Sequence, residues 1–140
     1  MPIQHSIKLY IYTLKINKMQ PIIQSLRPFI GSKVYELSKQ FYQELGWEVK
    51  DIPYDMSVVI INEQFSFYLQ DYFVKDWVEN TMLFLEIEDV PAYYKYLESL
   101  HLEEKYSGVK LHPIKKEEWG MECFLTDPST VLWHFGSFKG

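Results

Sequence analysis

One cysteine, Cys123, stands in 140 residues, so no disulfide can form within the chain, and a reducing, cytoplasmic setting is expected. No apolar run approaches the ~20 residues of a membrane-spanning helix. The first twenty residues lack the apolar core and small-residue cleavage site of a secretion signal. A basic excess is also missing: 14 Lys and Arg face 19 Asp and Glu, the formal net charge is −5 and the pI is about 5.3. Nucleic-acid backbones are neutralised by clustered cations, so neither nucleic acid nor membrane is an expected partner. An acidic balance suits a neutral or cationic small ligand, although most acidic surfaces only solvate.

Apolar residues are plentiful at 47%, and aromatics make up 17%, enough for a sizeable core and for the walls of a pocket. The organising stretch runs over 28–47. Ile22, Ile23, Leu26 and Ile30 form an apolar strand ended by Gly31, and Ser32 is the expected helix cap. Val34, Leu37, Phe41 and Leu45 recur at spacings of three and four and share one helix face, widened by Tyr42. Gly46 then suits a left-handed helix end.

Further strands are expected over 47–52, 56–61 and 65–71. A connector over 72–80 is expected to be anchored by Trp77 and Val78. After a strand over 81–88, Asp89 caps a helix whose core stripe is Val90, Tyr93, Tyr94, Leu97 and Leu100. Residues 101–108 read as a loop and 109–114 as a strand. A charged turn (115–119), a strand (120–126), a turn (127–130) and a final strand (131–135) follow. The order β-α-β-β-β therefore occurs twice. Phe41 to Leu45 aligns on Tyr96 to Leu100 at an offset of 55, and Phe65 to Gln70 on Val131 to Gly136 at 66. Each half has a sheet face that something else must cover. The expected organisation is a basic extension over 1–20, a first module over 21–75 and a second over 81–138. For the extension, with Ile7, Leu9 and Ile11 alternating, an added edge strand or dimer-contact arm is the first reading, and an extension with little structure or role is the other.

Two motifs carry a family likeness. Ser38-Lys39-Gln40-Phe41-Tyr42 with Leu45-Gly46-Trp47 is similar to S-x-x-F-Y…L-G-F. Cys123-Phe124-Leu125-Thr126-Asp127-Pro128, running into Val131-Leu132-Trp133-His134-Phe135, is similar to F-x-D-P-D-G-x-x-x-E-F. On a doubled βαβββ pattern, the chain resembles the vicinal oxygen chelate superfamily of glyoxalase I, bleomycin-resistance proteins and extradiol dioxygenases, over about residues 22–138. The resemblance implies an α+β fold: two βαβββ modules forming a half-closed, cup-shaped mixed sheet with helices outside. It also implies a homodimer and a ligand site in the cup.

Enzymatic members hold a divalent metal on His, Gln or Glu from the first and last strand of each module. Carried over by register, those positions are Arg27 and Tyr68, then Met82 and His134. Arg27 keeps its proton, and Tyr and Met are poor ligands for such metals, which leaves His134 alone. No metal and no other cofactor is expected. Strand alternation points Arg27, Phe29, Ser66, Tyr68, Gln70, Met82, Phe84, Glu86, Leu132 and His134 into the cup. Trp119, at a charged hairpin tip, is expected as a lid or a dimer contact. The expected ligand-binding residues are Arg27, Phe29, Tyr68, Gln70, Met82, Phe84, Glu86, Trp119 and His134, with no catalytic group and an Arg27–Glu86 ion pair as a rival role. His5, His101 and His112 show no ligand spacing.

Three functions compete. The first is metal-free small-molecule binding of the bleomycin-resistance type, an antibiotic-resistance role with an aromatic or cationic ligand. The second is a metal-dependent lyase, isomerase or dioxygenase using His134, Glu86 and either His112 or Glu122. The third is a dimeric scaffold with a vestigial pocket.

Overall fold

A computed structural model describes Ile7 and residues 18–140; the alternation expected over 7–13 otherwise lies outside the described residues. The first module comprises β1 (Phe29–Gly31), α1 (Tyr35–Glu44), β2 (Glu48–Ile52), β3 (Met56–Ile60) and β4 (Ser66–Gln70). A short helix, α2 (Lys75–Val78), leads to the second module. That module comprises β5 (Met82–Glu86), α3 (Val90–Ser99), α4 (Leu102–Lys105), β6 (Lys110–Glu117), β7 (Gly120–Thr126) and β8 (Leu132–Phe138). The sheets have matching orders, β1-β4-β3-β2 and β5-β8-β7-β6, with β1 parallel to β4 and β5 parallel to β8. The fold is α+β, with two repeated βαβββ modules.

Local chemistry explains most elements. Asp89 accepts the Ala92 N–H at 3.0 Å and Pro91 sits in the first turn of α3. Gly46 ends α1 with φ +99°, a region that a side chain would strain. Asn62 Oδ1 accepts the N–H groups of Gln64 and Phe65 at 2.8 and 2.9 Å, which shapes the β3–β4 turn.

Several expectations need correction. Ser32 does not cap α1: its hydroxyl donates to Gln70 O at 2.7 Å, and α1 starts after Val34 with no side-chain cap. Val34 is accordingly exposed rather than in the helix stripe. The first strand is only three residues long, because residues 19–26 lie outside the sheet with Ile22, Ile23 and Leu26 exposed. Val78 anchors the connector but Trp77 is exposed. The expected loop at 101–108 contains α4. Strand β6 runs on to Glu117 because a bulge between His112 and Lys115 absorbs Pro113 on this edge strand.

The core is shared. Phe41 and Tyr42 of α1, Trp47, Phe67 of β4, and Trp133 and Phe135 of β8 are buried together. Trp47 meets Trp133 at 5.0 Å between ring centroids and stacks on Tyr42 at 5.6 Å. Polar bonds cross the same seam. Tyr42 donates to Asp127 Oδ2 at 2.7 Å while accepting from Trp133 Nε1 at 3.0 Å, and Asp127 Oδ1 accepts the N–H groups of Ser129 and Val131. Burial pushes the Asp127 carboxyl up to about 6 despite these bonds, and raises the Tyr42 phenol well above its ordinary range. The modules thus join through their helix-bearing faces, which leaves the opposite face of each sheet open.

Candidate functional site

Alternation decides those open faces. In β4, Phe67 and Leu69 are buried while Ser66, Tyr68 and Gln70 are half-buried; in β5, Met82, Phe84 and Glu86 are exposed while Leu83 and Leu85 pack inward. Eight of the expected ligand residues therefore lie on the open faces: Arg27, Phe29, Tyr68 and Gln70 on the first sheet, and Met82, Phe84, Glu86 and His134 on the second. Trp119 joins the second group, packing on Phe138 at 5.2 Å and Phe84 at 6.0 Å.

On the first face, Phe29 lies opposite Tyr68 with ring centroids 5.0 Å apart. Arg27 donates to Ser66 Oγ at 2.7 Å and to Tyr68 Oη at 3.2 Å, and its guanidinium carbon lies 5.6 Å from the Tyr68 ring centre. It bonds these two hydroxyls rather than Glu86. Gln70 reaches Met56 Sδ at 3.9 Å, a weak contact that leaves its amide available.

On the second face, Phe84 lies opposite His134 in register. A row of rings runs Trp119, Phe138, Phe84, His134, Phe124, His112, each ring centroid within about 6.2 Å of the next. Gly136 makes room for it: a Cβ there would stand 2.5 Å from Phe84 Cζ. Within the row, His134 Nδ1 and Glu122 Oε1 are 2.8 Å apart, with Glu122 buried. A carboxylate at Nδ1 holds the proton there in neutral imidazole and makes Nε2 the acceptor. On sequence alone Glu122 is only an alternative metal ligand, Phe124 is only part of a motif, and neither Phe124 nor Phe138 is expected at the site. Alternation in β7 points to the first two; Phe138 escapes because β8 extends three residues past its expected end.

In the structure Phe29 faces Tyr68 and Phe84 faces His134, so Arg27 and Met82, expected opposite Tyr68 and His134 by register, do not stand opposite them; Met82 faces Leu132 instead. This donor set does not fit a divalent metal. Phe29, Tyr68 and Phe84 supply no ligand of the kind such a metal takes, and among the described residues no three His, Cys, Asp or Glu side chains come together as ligands. Cys123 is buried behind the second face, and burial pushes its thiol up to about 11, so it is poorly reactive. A cavity of about 450 Å³ lies elsewhere, lined by Tyr94, Leu97, His101, Leu102 and Leu111. It shares no residue with the two faces; Phe29 and Gln70 border a pocket of only about 60 Å³. Among the described residues, no helix is long and apolar enough to cross a membrane.

No family model and no curated protein matches the sequence. Solved structures do match. The bleomycin-binding protein of the bleomycin producer Streptomyces verticillus, complexed with copper(II)-bleomycin, aligns at TM-score 0.70 and 17% identity, over 86% of this chain and 100% of that one. An antibiotic-binding protein from Streptomyces sp. CB03234 aligns at TM-score 0.66 and 19% identity, over 86% and 100%. A glyoxalase/bleomycin-resistance protein from Catenulispora acidiphila aligns at TM-score 0.64 and 17% identity, over 82% and 98%. At such identities the likeness is one of fold.

Proposed function

We propose that this chain, which shares its fold with bleomycin-binding and antibiotic-binding proteins, is a small-molecule-binding protein of the vicinal oxygen chelate type that holds an aromatic or cationic ligand without a metal. The observation that carries this reading is the placement of aromatic and ionisable side chains on two open sheet faces, where the core does not need them. Phe29, Phe84 and Met82 are more than two-fifths exposed, a cost in solvation that a ligand or a second protein surface would recover. Apolar walls with a few orienting polar groups are the usual make-up of a small-molecule site. The named ligands of the structural neighbours, bleomycin among them, point the same way.

Neither face encloses a ligand alone, so the working unit of this proposal is a homodimer in which a second copy closes the site. The exposed Met19, Ile22, Ile23 and Leu26 before β1, and the edges of β1 and β5, unpaired among the described residues, favour self-association. The proposal places the dimer in the cytoplasm, with antibiotic sequestration as its role. Titration with bleomycin, followed by tryptophan fluorescence and thermal shift, is the direct test. Quenching that disappears in Trp119→Phe supports the site; an unmoved melting temperature and spectrum for bleomycin and other aromatic cations would sink it. Sedimentation equilibrium should return twice the chain mass, and a monomer would remove the dimer from the scheme.

A further inference from the structure

Resting on the binding function above, we propose that His134, set by Glu122, is the acceptor that makes the second face select ligands bearing a protonated amine on an aromatic body. The carboxylate engages Nδ1 at 2.8 Å, and Nε2 has no protein partner among the described residues. The imidazole is flanked by Phe124 at 4.8 Å and Phe84 at 6.2 Å between ring centroids. A neutral imidazole on a carboxylate carries one negative charge overall. The two flanking rings offer π density to a cation that stands over one of them.

The neighbouring charges leave that negative charge uncompensated. Lys115 stands opposite Glu122 in the β6–β7 register, but its ammonium bonds Glu117 at 3.2 Å. On β5 the facing ionisable group is Glu86, and on β6 the remaining one is His112, edge-on to Phe124. A ligand amine meets aromatic faces, one directed acceptor and net negative charge. The open first face differs in kind: its charged group is Arg27, a cation that already donates to the Ser66 and Tyr68 hydroxyls.

A quaternary ammonium would gain the ring faces and the charge but cannot donate to Nε2. An amine N–H⁺ gains both, and a charge-assisted bond outweighs a neutral one. The preference expected for the donor is about tenfold.

The test uses the full chain and three probes: naphthylmethylammonium, its trimethylated quaternary form, and neutral naphthylmethanol. Binding is read from the Trp119 indole N–H resonance and from calorimetry. The wild type should bind the ammonium about tenfold more tightly than the quaternary probe. His134→Phe, which keeps the ring row, should bring the two cations to equal affinity. Glu122→Gln should weaken both cations and leave the alcohol unchanged. Equal affinity for the two cations in the wild type overturns the proposal without needing any variant, as does a preference that survives in His134→Phe. If none of the three probes binds, the binding function fails together with it. If alcohol and quaternary probe bind and the ammonium shows no advantage, only the selectivity fails.

Discussion

The two modules repeat a backbone and diverge in what they show to solvent. Helices α1 and α3 stand at the same 55-residue offset, and Phe29–Tyr68 and Phe84–His134 occupy equivalent facing positions. Yet the first open face has a cation tied to hydroxyls, and the second a carboxylate–imidazole pair within a row of rings. Their helix starts differ too: α3 is capped by Asp89 and α1 has no side-chain cap. The helix-bearing faces are constrained by close packing on one another, where a lost methylene is felt. The outward faces carry no such constraint and can specialise separately.

The largest effect should come from breaking the shared seam. Trp133→Ala removes a fully buried ring from both modules and should cost about 3–5 kcal/mol in denaturant unfolding, lowering both modules in one transition. Two separate transitions would show that the modules fold independently. Next is Asp127→Asn. The Asp127 carboxyl is raised from 3.8 to about 6 in the fold, so its contribution is present at acid pH and is lost as pH rises from about 4 through 6. That shift is worth about 3 kcal/mol. Glu44 and Asp51 are held below their ordinary values by Tyr106 and Ser57 hydrogen bonds, so they act in the opposite sense, but equally in both proteins. The stability difference between wild type and variant should therefore shift in favour of Asn by about 3 kcal/mol from pH 4 to pH 7. A constant difference would contradict the buried-carboxyl account.

Gly136→Ala sharpens the contrast between the faces. The new methyl group must push the Phe84 ring off its seat, at a cost of about 1–2 kcal/mol, and should weaken ligand binding while leaving the Arg27–Tyr68 face unaltered in chemical-shift maps. Smallest are the helix caps. Asp89→Ala should cost about 1 kcal/mol, whereas Val34→Asp, at an extended position with no cap, should gain a few tenths to about 1 kcal/mol. Equal and opposite melting shifts would show the modules differ here only by one side chain.

Much of this was legible in the chain. The periodicity of Leu37, Phe41 and Leu45, the Asp89 cap and the Gly46 stop are local signals, written within one or two helical turns. The inner residues followed from strand alternation, which needs no knowledge of partners. Other features depended on distant groups. Ser32 has the chemistry of a cap, but Gln70 O, 38 residues away, takes its hydroxyl. Trp77 has the hydrophobicity of an anchor, and its neighbour Val78 fills the available space. The Glu122–His134 pair requires the β7–β8 register, which sets Phe124 opposite His134 and brings Glu122 alongside.

Local propensity and the doubled hydrophobic pattern were enough to specify the elements, their order and the side of each strand that a residue occupies, because those depend on neighbours a few positions away. Which sheet faces would meet, and which would stay open to solvent, was decided by the aromatic packing of Tyr42, Trp47 and Trp133 across the seam. That choice rests on shape complementarity between residues up to 91 positions apart, a distance at which sequence spacing carries no geometric information.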